Sequence, residues 1–242
     1  MSPQNSKMDI KGKTVILTGV ARIGTFVAAD FLEAGANLVV SYRTGKPDFR
    51  SVNILYVQAD LSSAADVVRL VSEAEDKFER VDALVHMVAT YERVPWDKLS
   101  EQAWDSSMNA IAKSAFLTSK AVGDVMRRNK TEGRIVLVSD WSVLQQPYKE
   151  YLPYNSAKAA IIGLTKSLAK ELAPTILVNA IAPGPIIRPP DLSEEENREA
   201  LSGTPLAKWG GGKEISKGIM FLVQSDFVTG QVLYIDGGRS IA

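Results

Sequence analysis

Two residues four apart, Tyr154 and Lys158, are the pair in this chain best suited to moving a proton; they stand in the stretch Tyr151-Leu-Pro-Tyr154-Asn-Ser-Ala-Lys158. At that spacing on a helix, two side chains share a face. A free tyrosine titrates near pH ~10. A neighbouring ammonium, or a position near a helix N-terminus, stabilises the phenolate and lowers that value. A tyrosine tuned in this way exchanges a proton with a hydroxyl or carbonyl oxygen near neutral pH. The spacing alone does not separate this chemistry from a Tyr and a Lys that merely share a helix, so the surrounding elements carry the decision.

The helix itself is well signalled. Pro153 suits a first helical turn, where its missing N–H costs nothing. Ala157, Ile161, Leu164, Leu168 and Leu172 then recur at steps of three and four, which makes one buried stripe. Around it the chain alternates short apolar runs with helical stretches. The runs are Thr14–Leu17, Leu38–Tyr42, Ile54–Val57, Ala83–Val88, Arg134–Val138, Ile176–Ile181 and Val232–Ile235. Helices are predicted from Phe26 to Ala34, closed by Gly35, from Ala64 to Phe78, and from about Glu101 to Arg128. Two short helices follow the sixth run. Continuous apolar strands between helices indicate a parallel sheet covered on both faces. The predicted fold is therefore α/β: a single doubly wound, Rossmann-like domain over 10–242 with a seven-stranded parallel sheet, preceded by a polar tail over 1–9. Ligands of such sheets bind at the carboxyl ends of the strands. The loops after Thr18, Tyr42, Val57, Val88, Val138 and Ile181 should line one crevice.

Those loops hold further candidates. Thr18-Gly19-Val-Ala-Arg22-Ile23-Gly24 opens the first helix, and glycines there let backbone N–H groups approach a pyrophosphate. After the second strand comes Arg43-Thr44-Gly45-Lys46. An acidic residue at that place would hold a ribose 2′-hydroxyl. Positive charge and a hydroxyl favour a 2′-phosphate instead, and Arg22 adds to the field. A solvated basic loop is the plainer reading of the same residues.

Composition narrows the classes. The chain has 242 residues, 28 basic and 28 acidic, one histidine and no cysteine. Zero net charge gives no reason to expect a nucleic-acid or membrane partner. Without cysteine there are no disulfides and no thiolate metal sites, and with His86 alone a zinc site is not expected. No apolar run reaches the ~18 residues of a membrane span, and the polar start lacks the apolar core of a signal peptide. A cytoplasmic protein is the expectation.

Several motifs in order resemble the short-chain dehydrogenase/reductase family, from about Ile10 onward. Tyr154-x-x-x-Lys158 matches the family's catalytic pair. Asp60-Leu61 matches the residues that hold the adenine, Val178-Asn-Ala-Ile-Ala-Pro183-Gly184 matches a signature loop, and Phe227-Val-Thr-Gly230 through Asp236-Gly237-Gly238 matches a segment that helps form a tetramer. The resemblance implies NADP(H) held by Gly19, Arg22, Ile23, Arg43, Thr44, Asp60, Leu61, Ala89, Tyr154, Lys158, Pro183, Gly184 and Ile186. It implies hydride transfer to a small carbonyl substrate, with Tyr154 as proton donor, Lys158 lowering its pKa and holding the nicotinamide ribose, and a homotetramer or homodimer.

The chain departs from the family in four places. Its glycine loop is one residue short, with Arg22 where the middle glycine belongs. His86-Met87-Val88-Ala89 replaces Asn-Asn-Ala-Gly, which removes an expected sheet-stabilising contact. The Asn of the family's proton relay falls at Ile111, and Asn109, two residues earlier, lies about 200° round an α-helix. Asp140 stands where the family usually has the Ser that bonds the substrate oxygen. Pteridine reductases of the family carry Asp there, and Gln146-Pro147 also resembles them, while Ser139 and Ser142 remain alternatives. Tyr91, Trp96, Trp141, Tyr148 and Tyr151 fall in loops near the crevice and suit a planar ring. Arg188 could meet an anionic group or point to solvent, and Pro189–Leu201 reads as a lid. Two functional classes stay open: an active NADP(H)-dependent carbonyl or imine reductase, close to 3-oxoacyl-carrier-protein and pteridine reductases, and a degenerate relative that binds nucleotide without turnover.

Overall fold

A computed structural model describes residues 8–49, 51–190 and 192–242. Seven parallel strands form one sheet in the order β3-β2-β1-β4-β5-β6-β7. The strands are β1 (Thr14–Thr18), β2 (Asn37–Tyr42), β3 (Ile54–Gln58), β4 (Ala83–His86), β5 (Gly133–Val138), β6 (Ile176–Pro183) and β7 (Val232–Ile235). The order reverses between β1 and β4, which pair with Thr18 opposite His86. A crevice opens at that switch point because successive crossovers leave in opposite directions.

Alternation along the strands explains the two covered faces. Ile16, Val39, Leu84 and Ile135 point into one core with helices α2 (Ala64–Phe78), α4 (Ser114–Arg128) and α5 (Leu152–Leu172). Val15, Leu17, Val40, Val85 and Val136 point into the other, under α1 (Ile23–Glu33) and α7 (Gly212–Gln224). Ser63 caps α2 by accepting a hydrogen bond from the Asp66 N–H, and Glu79 ends it in the left-handed region at φ 61°.

Four local differences from the sequence reading matter. β4 ends at His86 rather than Val88, so Met87 and Val88 leave the sheet and enter the crevice. β6 runs on to Pro183 because its last residues pair with β7. The single long helix divides into α3 (Glu101–Ser107), a π-helical turn over Met108–Lys113, and α4. The π turn widens the spiral there, so α-helical angles do not apply between Asn109 and Ile111. Of the tail, residues 1–7 lie outside the described residues. The Met8 N–H donates to Gln224 O at the end of α7, and Ile10, the first residue of the predicted domain, is buried.

Candidate active site

The strand ends of β1, β4, β5 and β6 surround a cleft of about 600 Å³, within the range of small-molecule sites. Its floor is built from β5 and α5. Tyr154 sits in the first turn of α5 after Pro153, and Lys158 follows one turn later; both side chains are buried. The Tyr154 hydroxyl donates to Asp140 Oδ2 at 2.6 Å. Asp140 Oδ1 accepts from the Ser142 N–H at 2.9 Å and from Ser142 Oγ at 2.8 Å, which fixes the carboxylate's orientation. Ser139 is turned inward and donates to Lys158 O at 2.8 Å. Of the three candidates after β5, Asp140 is thus the group that meets Tyr154.

The electrostatics differ from the sequence expectation. Burial pushes the Tyr154 phenol well above its ordinary pKa, and the Asp140 carboxylate pushes the same way. Lys158 does not offset this. Its Nζ donates to Val138 O at 2.7 Å, and burial lowers its own pKa to about 8, against the pull of Asp140. The phenol is therefore held in its protonated form, where the sequence suggested a lowered pKa.

The β4 end is rebuilt around His86. Nδ1 lies 3.0 Å from Thr18 Oγ1 and 3.1 Å from Thr118 Oγ1, and Nε2 lies 3.1 Å from Ser114 Oγ. Ser114 Oγ donates its own proton to Ala110 O at 2.6 Å, a carbonyl in the π turn. One consistent assignment has Nε2–H donating to Ser114 and Nδ1 accepting from Thr18. The sheet-stabilising contact expected to be lost is thus replaced by a bridge from β1 through β4 to α4. Burial lowers the His86 pKa to about 3, with Lys158 adding to the effect, so the ring is neutral.

The glycine loop is held in an unusual way. Gly19 has φ 69°, and a Cβ there would fall 2.6 Å from Met87 C, so the exits of β1 and β4 touch only because this residue is glycine. Arg22 adopts φ 49° as a non-glycine residue and donates from Nη2 to Ile187 O at 3.0 Å across the cleft. The cost of that backbone conformation is borne by a residue whose side chain tethers the loop after β6.

Other candidates are distributed unevenly. Gly19, Arg22, Ile23, Ala89, Pro183, Gly184 and Ile186 line the cleft with Tyr154, Lys158 and Asp140. Arg43, Thr44 and Asp60 lie outside its wall, exposed at the neighbouring ends of β2 and β3. Leu61 is buried in the core, so its side chain is not available to a ligand. Ile111 is fully buried and Asn109 is exposed in a surface notch with Glu101 and Asp105, so neither supplies the relay amide. Tyr91, Trp141 and Tyr148 line the cleft and Tyr151 backs Tyr91, but Trp96 is 81% exposed and outside it. Arg188 is taken up by the segment that follows it, donating to Glu194 at 2.7 Å and to Leu192 O at 3.0 Å. Arg239, which no sequence motif singles out, lines the cleft. Its signal was its place just beyond β7, another strand end.

The residues present fit a nicotinamide dinucleotide. The cleft lies at the switch point, the N-terminus of α1 and the Arg22 guanidinium face it, and the basic Arg43 and Lys46 extend the line beyond β2. Among the described residues no cluster of His, Cys, Asp and Glu could hold a metal ion, and no helix is long and apolar enough to cross a membrane.

Comparison with known proteins agrees with this geometry. A family model described as enoyl-(acyl carrier protein) reductase matches residues 19–240. The chain is 36% identical to the (2S)-[(R)-hydroxy(phenyl)methyl]succinyl-CoA dehydrogenase subunit BbsD of Thauera aromatica, over 97% of this chain and 99% of that one. It is 31% identical to a 3-oxoacyl-[acyl-carrier-protein] reductase of Synechocystis, over 95% and 97% respectively. A short-chain dehydrogenase from Leptospira borgpetersenii, solved with bound NAD+, superposes with a TM-score of 0.90 at 25% identity, covering 96% of this chain and 94% of that one. With its all-parallel sheet, its Tyr154–Lys158 helix and these relatives, the chain belongs to the short-chain dehydrogenase/reductase family of oxidoreductases, which use a nicotinamide cofactor.

Proposed function

We propose that this protein is an NADP(H)-dependent reductase of a small carbonyl or imine compound, with Tyr154 as the proton donor. The observation that carries the reading is the Tyr154–Asp140 hydrogen bond of 2.6 Å on the floor of the strand-end cleft, beside the buried Lys158. When bound, the nicotinamide supplies the hydride to the carbonyl carbon. Tyr154 turns its O–H from Asp140 to the oxygen and donates the proton as negative charge builds there, and burial keeps that proton on the phenol until then. Asp140 orients the phenol, and its half-buried position lets the proton return from the cleft. The helix side cannot serve, since Ile111 there is apolar and fully buried. Lys158 contributes a fixed positive charge below the reacting groups and a hydrogen-bond donor for a ribose hydroxyl.

Arg22, Ile23, Ala89, Pro183, Gly184 and Ile186 would hold the pyrophosphate and nicotinamide portion, and Asp60 with the backbone of Leu61 the adenosine. Arg43 and Thr44, exposed past β2 where an acidic residue would select NAD, support a 2′-phosphate. Titrating the protein into NADPH and NADH and following cofactor fluorescence tests this. Arg43→Ala should weaken NADPH about tenfold or more and NADH less than about twofold; equal losses would remove the 2′-phosphate argument. Tyr154→Phe should lower kcat by about 10²–10⁴ while sparing cofactor affinity, and full activity in that variant would show that Tyr154 is not the acid.

The shortened glycine loop and Ile111 favour a second reading, a nucleotide-binding module without turnover. NADPH binding with no reduction across a panel of ketones, quinones and dihydropterin precursors would select it. Exposed Trp104, Phe116 and Phe227 support a homotetramer or homodimer, which light scattering checks, and the cysteine-free sequence is compatible with a cytoplasmic setting.

A further inference from the structure

The cleft has a substrate side that differs in character from its cofactor side. Four rings face it there: Tyr91, Tyr148, Tyr154 and Trp141. They form a continuous set. Tyr91 meets Tyr154 edge-on with centroids 5.0 Å apart and Tyr148 edge-on at 6.0 Å, and Tyr151 stacks behind Tyr91 at 4.5 Å. Trp141 Nε1 donates to the Tyr148 hydroxyl at 2.7 Å, so both rings are fixed. At the far end of this wall the Arg239 guanidinium lies 5.3 Å over the Trp141 ring.

Arg239 is built into that place. It follows β7 on a turn whose Asp236 carboxylate is buried and accepts the N–H groups of Gly238 at 2.9 Å and Ser240 at 2.7 Å. Its Nη1 donates to Ala200 O at 2.7 Å, with Glu199 O at 3.4 Å, at the C-terminal turn of α6 (Glu194–Ser202). A guanidinium carries five N–H donors in a planar fork. Among the described residues Nε and Nη2 have no hydrogen-bond partner, and no carboxylate forms an ion pair with the group. That leaves one edge of the fork able to take a carboxylate through two parallel bonds. The other cleft cations are otherwise engaged, Arg22 with Ile187 O and Lys158 with Val138 O.

We propose that Arg239 is an anion anchor for the substrate, and that the substrate is an aryl carbonyl compound bearing a carboxylate. The aryl ring packs on the tyrosine wall beside Tyr154, and the carboxylate meets the open edge of Arg239. The inference rests on the reductase reading for the reaction, but binding to the anchor can be measured apart from it.

The test uses γ-oxo-γ-phenylbutanoate, its methyl ester and the aliphatic γ-oxopentanoate. Each is titrated calorimetrically into protein saturated with oxidised cofactor, and each is assayed for reduction. The wild type should bind the aryl acid roughly tenfold or more tighter than either comparison compound. Arg239→Gln should cost the acid at least tenfold more than the ester, as a rise in KM rather than a fall in kcat, and Arg239→Lys should keep part of the preference. Equal binding of acid and ester by the wild type would overturn the anchor. So would an equal loss of both in Arg239→Gln with a lowered Tm, which would make Arg239 only a pin between α6 and the C-terminal turn. If γ-oxopentanoate binds as tightly as the aryl acid, the aromatic half fails. Arg239-dependent binding without any reduction would sink the reductase reading and leave the anchor standing; reduction without acid preference would do the reverse.

Discussion

His86 and Lys158 are equally buried, each 2% exposed, and both lie between the sheet and the helices on one face. Their surroundings nevertheless give them opposite characters. The His86 ring has hydroxyl neighbours at both nitrogens, and its neutral form suits them, so burial yields a polar knot that ties β1 to β4 and α4. Lys158 has three ammonium donors and one described acceptor, the Val138 carbonyl. Its charge is desolvated without being fully matched, and its pKa falls to about 8. Burial alone therefore says little about role. What separates a structural polar group from a chemically poised one is whether its hydrogen-bonding capacity is filled. The aromatic wall extends the point: burial pushes the phenols of Tyr91, Tyr148 and Tyr154 upward in pKa, and among the described residues only Tyr154 has a carboxylate as hydrogen-bond acceptor in the cleft.

The contrast can be broken most directly at Lys158. Lys158→Met should lower kcat by about 10²–10⁴ and should not lower Tm at pH 7. A large loss of Tm with kcat retained would make Lys158 the structural member of the pair. The complementary change, His86→Phe, should cost about 1–3 kcal/mol by leaving the Thr18 hydroxyl unpaired, with kcat of the folded protein within a few-fold of wild type. In a chain of this size that is a fall of several degrees in Tm. A hundredfold loss of kcat without a Tm change would instead place His86 in the chemistry.

Smaller effects should appear in the pH dependence of Tm. The folded pKa of His86, about 3, lies below its ordinary 6.5. The unfolded chain thus binds the extra proton first, and the stability from the neutral ring is lost as pH falls from about 6.5 towards 3. The gap between wild type and His86→Phe should narrow over that range. Lys158, lowered from 10.5 to about 8, has the same sign in another window. Its burden on the fold is complete below pH 8 and eases as pH rises towards 10.5. Any Tm advantage of Lys158→Met should be largest near pH 7 and gone by about 10.5; an advantage that grows with pH would contradict the buried ammonium.

How far the sequence could be read depends on the kind of interaction. α2 and β7 fall where periodicity and flanking residues put them, because Ser63 caps locally and Val232–Ile235 is a plain apolar run. β4 stops two residues before its apolar run does, because Met87 and Val88 are apolar for the cleft's sake rather than the sheet's. Among the site residues, the Tyr154–Lys158 spacing was visible because a helix turns it into proximity. Asp140 could not be separated from Ser139 and Ser142, since three adjacent polar residues differ only in the direction each takes on leaving β5. Arg188 and Arg239 show the same limit: one is consumed by Glu194 and the other is held over Trp141.

The sequence by itself determined the parallel sheet, the order of its helices and the strand ends at which chemistry would gather, because those follow from continuous apolar runs and from local patterns of period 3.6. The tertiary structure alone decided that the Tyr154 phenol is protonated against Asp140, that His86 is a knot rather than a gap, and that Arg239 faces the cleft. Each of those depends on what comes close from a distant part of the chain, and on how much water is excluded when it does, and no local pattern records either.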